Sequence, residues 1–215
     1  IERTMKPVAS LFKNAFTRAD ELQAISTFLL AWGRKMGFAG EGIVVPNAVD
    51  TKRFAHAYTE AEVARMKESL GKNDGDVYLV TTSRLVHKNA IDDVITALSR
   101  MPVHVSFLIY GIGPDEAKLR ALAQSLGLTN RARFMGEIGH ETMPLMLAAC
   151  DIFIRPSRSE GMGNSFVEAM AAGLPVIATQ EGGIADFLFD SRRNPDMPTT
   201  GFAVDANSPD QIAEA

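Results

Sequence analysis

The chain has 215 residues, 46% apolar and 22% charged, with 22 Lys and Arg against 26 Asp and Glu for a net charge of −4. That balance excludes an intrinsically disordered chain and one that coats nucleic acid non-specifically, which needs a Lys/Arg surplus to replace phosphate counterions. A single cysteine, Cys150, excludes an internal disulfide framework, and no Cys/His cluster has structural-zinc spacing, so a reducing, cytoplasmic location is expected.

In chain order, the first fifty residues predict a helix over 6–16, a short run at 22–25, a helix from Ser26 or Thr27 through Met36, and a strand at 43–45. The turn formers Pro46, Asn47 and Asp50 place a domain boundary at about residues 46–54, ahead of a charged helical stretch over 60–70. Residues 77–82 are β-rich, and Ile91, Val94, Ile95 and Leu98 follow the i, i+3, i+4, i+7 spacing of a helix. Residues 103–110 predict a second strand whose near-continuous apolarity suits a sheet covered on both faces. A helix after Pro114, ending at Gly127, is followed by a strand at 132–135, a helix near 141–149 and a strand at 152–155. A helix near 164–172, closed by Gly173, and a strand at 176–179 come next. Strand and helix alternating at this spacing imply right-handed crossovers and a parallel sheet: the fold class is α/β, doubly wound. The apolar runs, such as 28–32 and 105–110, fall far short of the roughly 20 residues a membrane span needs. With no initiator Met and no signal-peptide pattern, the chain reads as a piece of a longer protein.

Ligands of doubly wound sheets bind beyond the C-terminal ends of the strands. Two loops there carry chemistry. The loop after 77–82 holds two cations, Arg84 and Lys88, just before a helix start, an arrangement that suits phosphate; the alternative is a solvated loop. The loop after 152–155 runs Pro156-Ser157-Arg158-Ser159-Glu160-Gly161-Met162-Gly163-Asn164-Ser165. Gly161 and Gly163 permit positive φ and close backbone approach, and the amides at Gly163, Asn164 and Ser165 suit an anion at a helix start. The alternative there is an ordinary N-cap at Asn164 or Ser165. Glu168 is the only charged residue in 166–175; a carboxylate among small residues either pairs with a cation or faces a cleft and accepts ligand hydroxyls. Glu160 lies eight positions earlier, on the far side of Gly161 and Gly163, which make a helix extending back to it unfavourable. Two separate carboxylates flanking a phosphate site match the layout of a nucleotide sugar.

Other motifs carry less. Gly111-Ile112-Gly113 lacks the third glycine of a dinucleotide fingerprint, with Glu116 in its place. The four histidines are scattered; His104 is expected to pack within its strand, and His87 is the one placed to see a substrate. Cys150 suggests a buried, inert thiol. Asp92 and Asp93 complement the dipole of their own helix. No acidic pair sits at a strand end to hold a divalent metal.

The stretch PSRSEGMGNSFVEAMAAGLPVIATQEGG resembles the signature of the group 1 glycosyltransferases (glycosyltransferase family 4), whose GT-B fold sets two Rossmann-like domains across a cleft. Glu160 and Glu168 meet its paired-glutamate pattern. SRLVHKNA resembles the diphosphate-binding loop, with Asn89 or Ala90 where glycine is usual; VPNAVDTKRF resembles the interdomain linker, with Ala48 where glycine is usual; and GFAVDANSPDQIAEA resembles the closing strand and helix. The likeness covers about residues 20–215.

The resemblance implies that 1–50 is the remnant of an acceptor-side domain with the linker, and 51–215 the donor-binding domain. It implies that Glu160 meets donor-sugar hydroxyls, Glu168 the ribose, and Arg84, Lys88 and the backbone at Gly163, Asn164 and Ser165 the diphosphate, with Gly161 and Met162 lining the donor site and the Ile138 backbone bordering the base. Glu160, Lys88 and Arg84 form the implied catalytic set. The implied reaction is retaining transfer of a hexosyl group from a UDP- or GDP-sugar to a sugar or lipid-linked acceptor, without metal or cofactor. Peripheral membrane contact of the longer protein is compatible with it. An inactive nucleotide-sugar-binding module on the same fold is the alternative; a phosphorylase would need a phosphate-specific signature that the sequence lacks. The isolated chain is expected to bind donor without meaningful transfer.

Overall fold

The computed structural model describes residues 9–215, and the chain divides into two compact units, Ile1–Ala48 and Val49–Ala215. Of the helix predicted over 6–16, residues 6–8 lie outside the described residues. In the first unit, α1 (Ala9–Arg18) and α2 (Thr27–Lys35) accompany β1 (Glu21–Ala24) and β2 (Glu41–Val44), which pair in parallel. The Ser26 hydroxyl accepts the Leu29 N–H at 3.2 Å and fixes the start of α2. Phe16 and Trp32 meet edge to face between the two helices, with centroids 5.3 Å apart.

The second unit opens with α3 (Thr51–Phe54) and α4 (Glu60–Ser69), the latter started by a reciprocal Thr59/Glu62 capping box. Then follow β3 (Val77–Thr82), α5 (Ile91–Leu98), β4 (Val105–Tyr110), α6 (Glu116–Ser125), β5 (Ala132–Gly136), α7 (Met143–Ala148) and β6 (Ile152–Arg155). The unit closes with α8 (Asn164–Ala171), β7 (Val176–Ala178), β8 (Phe202–Ala203) and α9 (Pro209–Glu214). The six strands form one parallel sheet in the order β5-β4-β3-β6-β7-β8.

The unbroken apolar runs of the strands follow from burial on both faces. Tyr78, Val80, Leu108, Phe153 and Val176 point into one core layer, and their neighbours Leu79, Phe107, Ile109, Ile154 and Ile177 into the other. The strand predicted at 103–110 begins only at Val105, because the Val105 N–H turns back to the Pro102 carbonyl at 3.0 Å. Val103 is 87% exposed and His104 is exposed, so the expectation of a packed His104 fails; its backbone carbonyl accepts the Val77 N–H at 3.0 Å instead. The helix predicted near 141–149 is shortened to Met143–Ala148, with Pro144 in its first turn.

Strand order positions the site. From β3 the chain adds β4 and β5 on one side, then returns through α7 to place β6 on the other. The loops after β3 and β6 therefore leave in opposite directions, and the sheet opens a crevice between them.

Candidate functional site

The loop after β3 is a tight turn. His87–Asn89 form one turn of 3₁₀ helix that ends at Ala90, a fully buried residue in the left-handed region with φ 56°. Asn89 donates its side-chain amide to the Arg84 carbonyl at 2.6 Å and folds the loop on itself. That backbone explains why glycine is usual here. The Gly111 and Gly113 pair serves the same loop: a Cβ at Gly111 would strike the Ser83 carbonyl, and one at Gly113 the Leu85 backbone. Their role is to let the loops after β3 and β4 lie together, which accounts for a glycine pair without a dinucleotide fingerprint.

The loop after β6 is built on Arg155. This guanidinium is buried, stacks 4.2 Å from the centroid of Phe166, and places Nη2 3.2 Å from Glu160 Oε2. Burial pulls the Arg155 pKa down to about 10, with Glu160 and Glu168 opposing the shift, so it stays charged at neutral pH. The Lys88 Nζ lies 3.4 Å from the same Glu160 oxygen, and Glu160 Oε1 accepts the Gly161 N–H at 3.0 Å. Gly163, at φ 84°, is the N-cap of α8, and any Cβ there would collide with the Phe166 ring and approach Arg155 Nη2 to 2.9 Å. The N-cap is thus Gly163 rather than Asn164 or Ser165, which form the first turn of α8.

Arg84, Lys88, Asn89, Arg155, Glu160, Gly163, Asn164 and Ser165 line one open groove of about 700 Å³. Ser165 is shared with a second groove of about 580 Å³, where Thr82, Tyr110, Ile138, His140 and Glu168 converge. The structure therefore brings Arg84, Lys88, Glu160 and the start of α8 together and sets Ile138 and Glu168 next to them. Gly161 lends its amide to Glu160, and Met162 is buried; neither lines either groove.

Glu168 is half-buried, and among the described residues no cation stands in salt-bridge contact with it. Burial raises its pKa, while the charges of His140 and Arg155 pull the other way. It faces the groove rather than a counter-ion. Two expectations need correction. His140, not His87 alone, borders the site. Asp92 and Asp93 do more than complement a helix dipole: Arg158 reaches Asp92 at 2.9 Å and Asp93 at 2.8 Å. Arg155 escaped sequence analysis, although a lone arginine ending an apolar strand was a usable signal, since such a charge must be paired. Cys150 is buried, and burial pushes its thiol up to about 12, as an inert thiol requires. Among the described residues no His/Cys/Asp/Glu group could hold a metal ion, and no helix is long and apolar enough to cross a membrane.

Residues 62–215 match the family model for glycosyl transferases group 1. The chain is 33% identical over 213 residues to the GDP-mannose-dependent monoacylated alpha-(1-6)-phosphatidylinositol monomannoside mannosyltransferase of Corynebacterium glutamicum, covering 92% of the chain and 52% of that protein. It is 31% identical over 227 residues to the GDP-mannose-dependent alpha-(1-6)-phosphatidylinositol monomannoside mannosyltransferase of Mycobacterium tuberculosis, covering 99% of the chain and 56% of that protein. The chain thus spans little more than half the length of these relatives. Anabaena HepE, solved in complex with UDP and glucose, superposes with a TM-score of 0.87 at 23% identity over 99% of this chain and 57% of its own. That likeness is one of fold, the α/β fold of GT-B glycosyltransferases. On the family match and the identity to these transferases, the chain belongs to the group 1 glycosyl transferases.

Proposed function

We propose that the two grooves form one donor site for a nucleoside-diphosphate hexose, and that the chain supplies the donor half of a retaining hexosyltransferase. The observation that carries this reading is the meeting of Lys88, Arg155, Glu160 and the first turn of α8 at one groove, with Glu168 one groove further along.

The chemistry follows from where charge develops. When the bond from the sugar anomeric carbon to the diphosphate oxygen breaks, negative charge accumulates on the diphosphate. Preorganised donors at that position lower the barrier most. Lys88, half-exposed on a flexible stem, turns to the diphosphate together with Arg84, and the start of α8 adds N–H donors and the positive end of its dipole. Glu160 is paired with buried Arg155 and accepts sugar hydroxyls; Glu168 accepts the ribose hydroxyls, and the backbone at Ile138 borders the base. These cations replace a metal in the reading, so nucleotide affinity in Mg²⁺ and in EDTA should agree. The acceptor is a sugar or lipid-linked sugar, in keeping with the names of the relatives, and transfer belongs to the longer protein.

Calorimetric titration with UDP, GDP and ADP tests the reading. Binding of at least one, without a divalent cation, is the expected result. A folded chain that binds none of them contradicts it, and a full-length protein that binds donor but transfers nothing would make it a binding module.

A further inference from the structure

Arg158 belongs to neither groove, yet it is tied to both ligand loops. Its side chain is only 13% exposed. Nη1 and Nη2 fork onto the two Asp92 oxygens at 2.9 and 3.0 Å, and Nη2 lies 2.8 Å from Asp93 Oδ2. Nη1 also donates to the His87 carbonyl at 2.6 Å, and Nε to Asn207 Oδ1 at 2.6 Å. Its own backbone N–H donates to the Lys88 carbonyl at 2.8 Å. One residue therefore grips the 87–88 turn at two successive carbonyls, anchors it to the start of α5, and sits two positions before Glu160.

The turn it grips needs holding. It ends in Ala90, a non-glycine residue in the left-handed region, a conformation that persists only when its surroundings fix it. Asn207 is likewise left-handed, at φ 57°, and Arg158 holds its side chain. Without the guanidinium, Asp92 and Asp93 would face each other and the His87 carbonyl with no cation between them, and these repulsions would push the 87–90 turn away from the β6 loop. A lysine cannot replace the fork, because an ammonium is a point charge that cannot hold two carboxylate oxygens in a plane.

We infer that Arg158 is a positioning residue that fixes the separation of Lys88 and Glu160, so that cation and carboxylate meet one donor together. This rests on the nucleoside-diphosphate reading of the groove. It predicts that Lys88 loses its value when Arg158 is gone, because a displaced cation no longer reaches the diphosphate.

The test combines amide hydrogen exchange on the free chain with a double-mutant cycle, using GDP and UDP as probes. Arg158→Met should accelerate exchange across residues 84–90 by about tenfold while the β3 and β4 amides stay protected. It should raise the nucleotide dissociation constant by about tenfold, and Lys88→Ala, costing about tenfold alone, should cost no more than about twofold in the Arg158→Met background. Unchanged exchange, or penalties that multiply, would overturn the inference. Should Arg158→Met fail to fold, Asp92→Asn, which removes one arm of the fork, must give the same changes in the same direction, and unchanged exchange there overturns it equally. If the unaltered chain binds neither nucleotide, the donor-site reading falls and the positioning role falls with it; nucleotide binding by the unaltered chain with unchanged exchange in Arg158→Met overturns the positioning role alone.

Discussion

Arg155 Nη2 lies 3.2 Å from Glu160 Oε2, with the guanidinium buried and the carboxylate at the edge of the groove. The pair joins the interior of the sheet to the site: among the described residues, the one carboxylate in salt-bridge contact with the charge at the end of β6 is the residue assigned to the donor sugar. A residue proposed to meet the donor sugar thus also satisfies the core.

Removing that carboxylate should therefore cost stability as well as binding. Glu160→Ala leaves Arg155 without its counter-charge and should destabilise the chain by about 3 kcal/mol, the usual penalty for breaking a buried pair. Adding Arg155→Met should recover most of the loss. Urea unfolding of the two single variants and the double variant checks this, and additive losses would contradict it.

Glu168 sets a pH dependence. Its pKa is raised, first by burial, so the folded chain takes up a proton there above the ordinary glutamate value of about 4.3. Protonation removes the charged acceptor, so its contribution to ribose binding is present at neutral pH and lost as pH falls through the raised value. Glu168→Gln should bind nucleoside diphosphate about fivefold more weakly near neutrality. The difference between the two proteins should vanish in acid, with a midpoint above that of free glutamate. Taking the ratio removes the titration of the phosphate itself, and a ratio flat with pH would refute the assignment.

Ala90 is a point of strain. Ala90→Gly relieves the left-handed Cβ penalty but frees the unfolded chain, so stability should change by less than about 1 kcal/mol. Ala90→Val adds a branched side chain at φ 56° in a fully buried position and should cost more than about 2 kcal/mol. Thermal unfolding of both variants reads the contrast.

Asp190 anchors the far edge of the sheet. It is 2% exposed and accepts the Ala203 N–H at 2.8 Å, the Arg192 N–H at 2.9 Å and the Arg192 guanidinium at 2.6 Å. These donors, Arg192 first, hold its carboxyl well below the usual carboxylate range. A depressed pKa stabilises the fold above the unfolded value of about 3.9 and is lost as pH falls towards the folded value. Asp190→Asn should cost about 2 kcal/mol at neutral pH and lessen the loss of stability in acid, as seen in denaturation midpoints across pH.

The parallel sheet was legible because burial on both faces leaves unbroken apolar runs such as 105–110, and glycines such as Gly127 and Gly173 end the helices between them. Strand ends were less so: nothing in the run 103–110 announces that Pro102 delays pairing until Val105. The site was legible wherever one residue carried its own signal, as Glu168 did by standing alone among small neighbours. Arg158 and His140 were not, because their significance lies in partners 66 and 28 positions away in sequence, at Asp92 and Glu168. Pairing across a folded crevice has no local pattern.

Whether one donor spans both grooves is read from a crystal structure of the chain with bound GDP or UDP. The diphosphate should lie against Lys88, Arg84 and the first turn of α8, with the ribose hydroxyls on Glu168. A nucleotide whose ribose sits at Glu160, or whose phosphates lie away from Lys88 and Ser165, would contradict that placement.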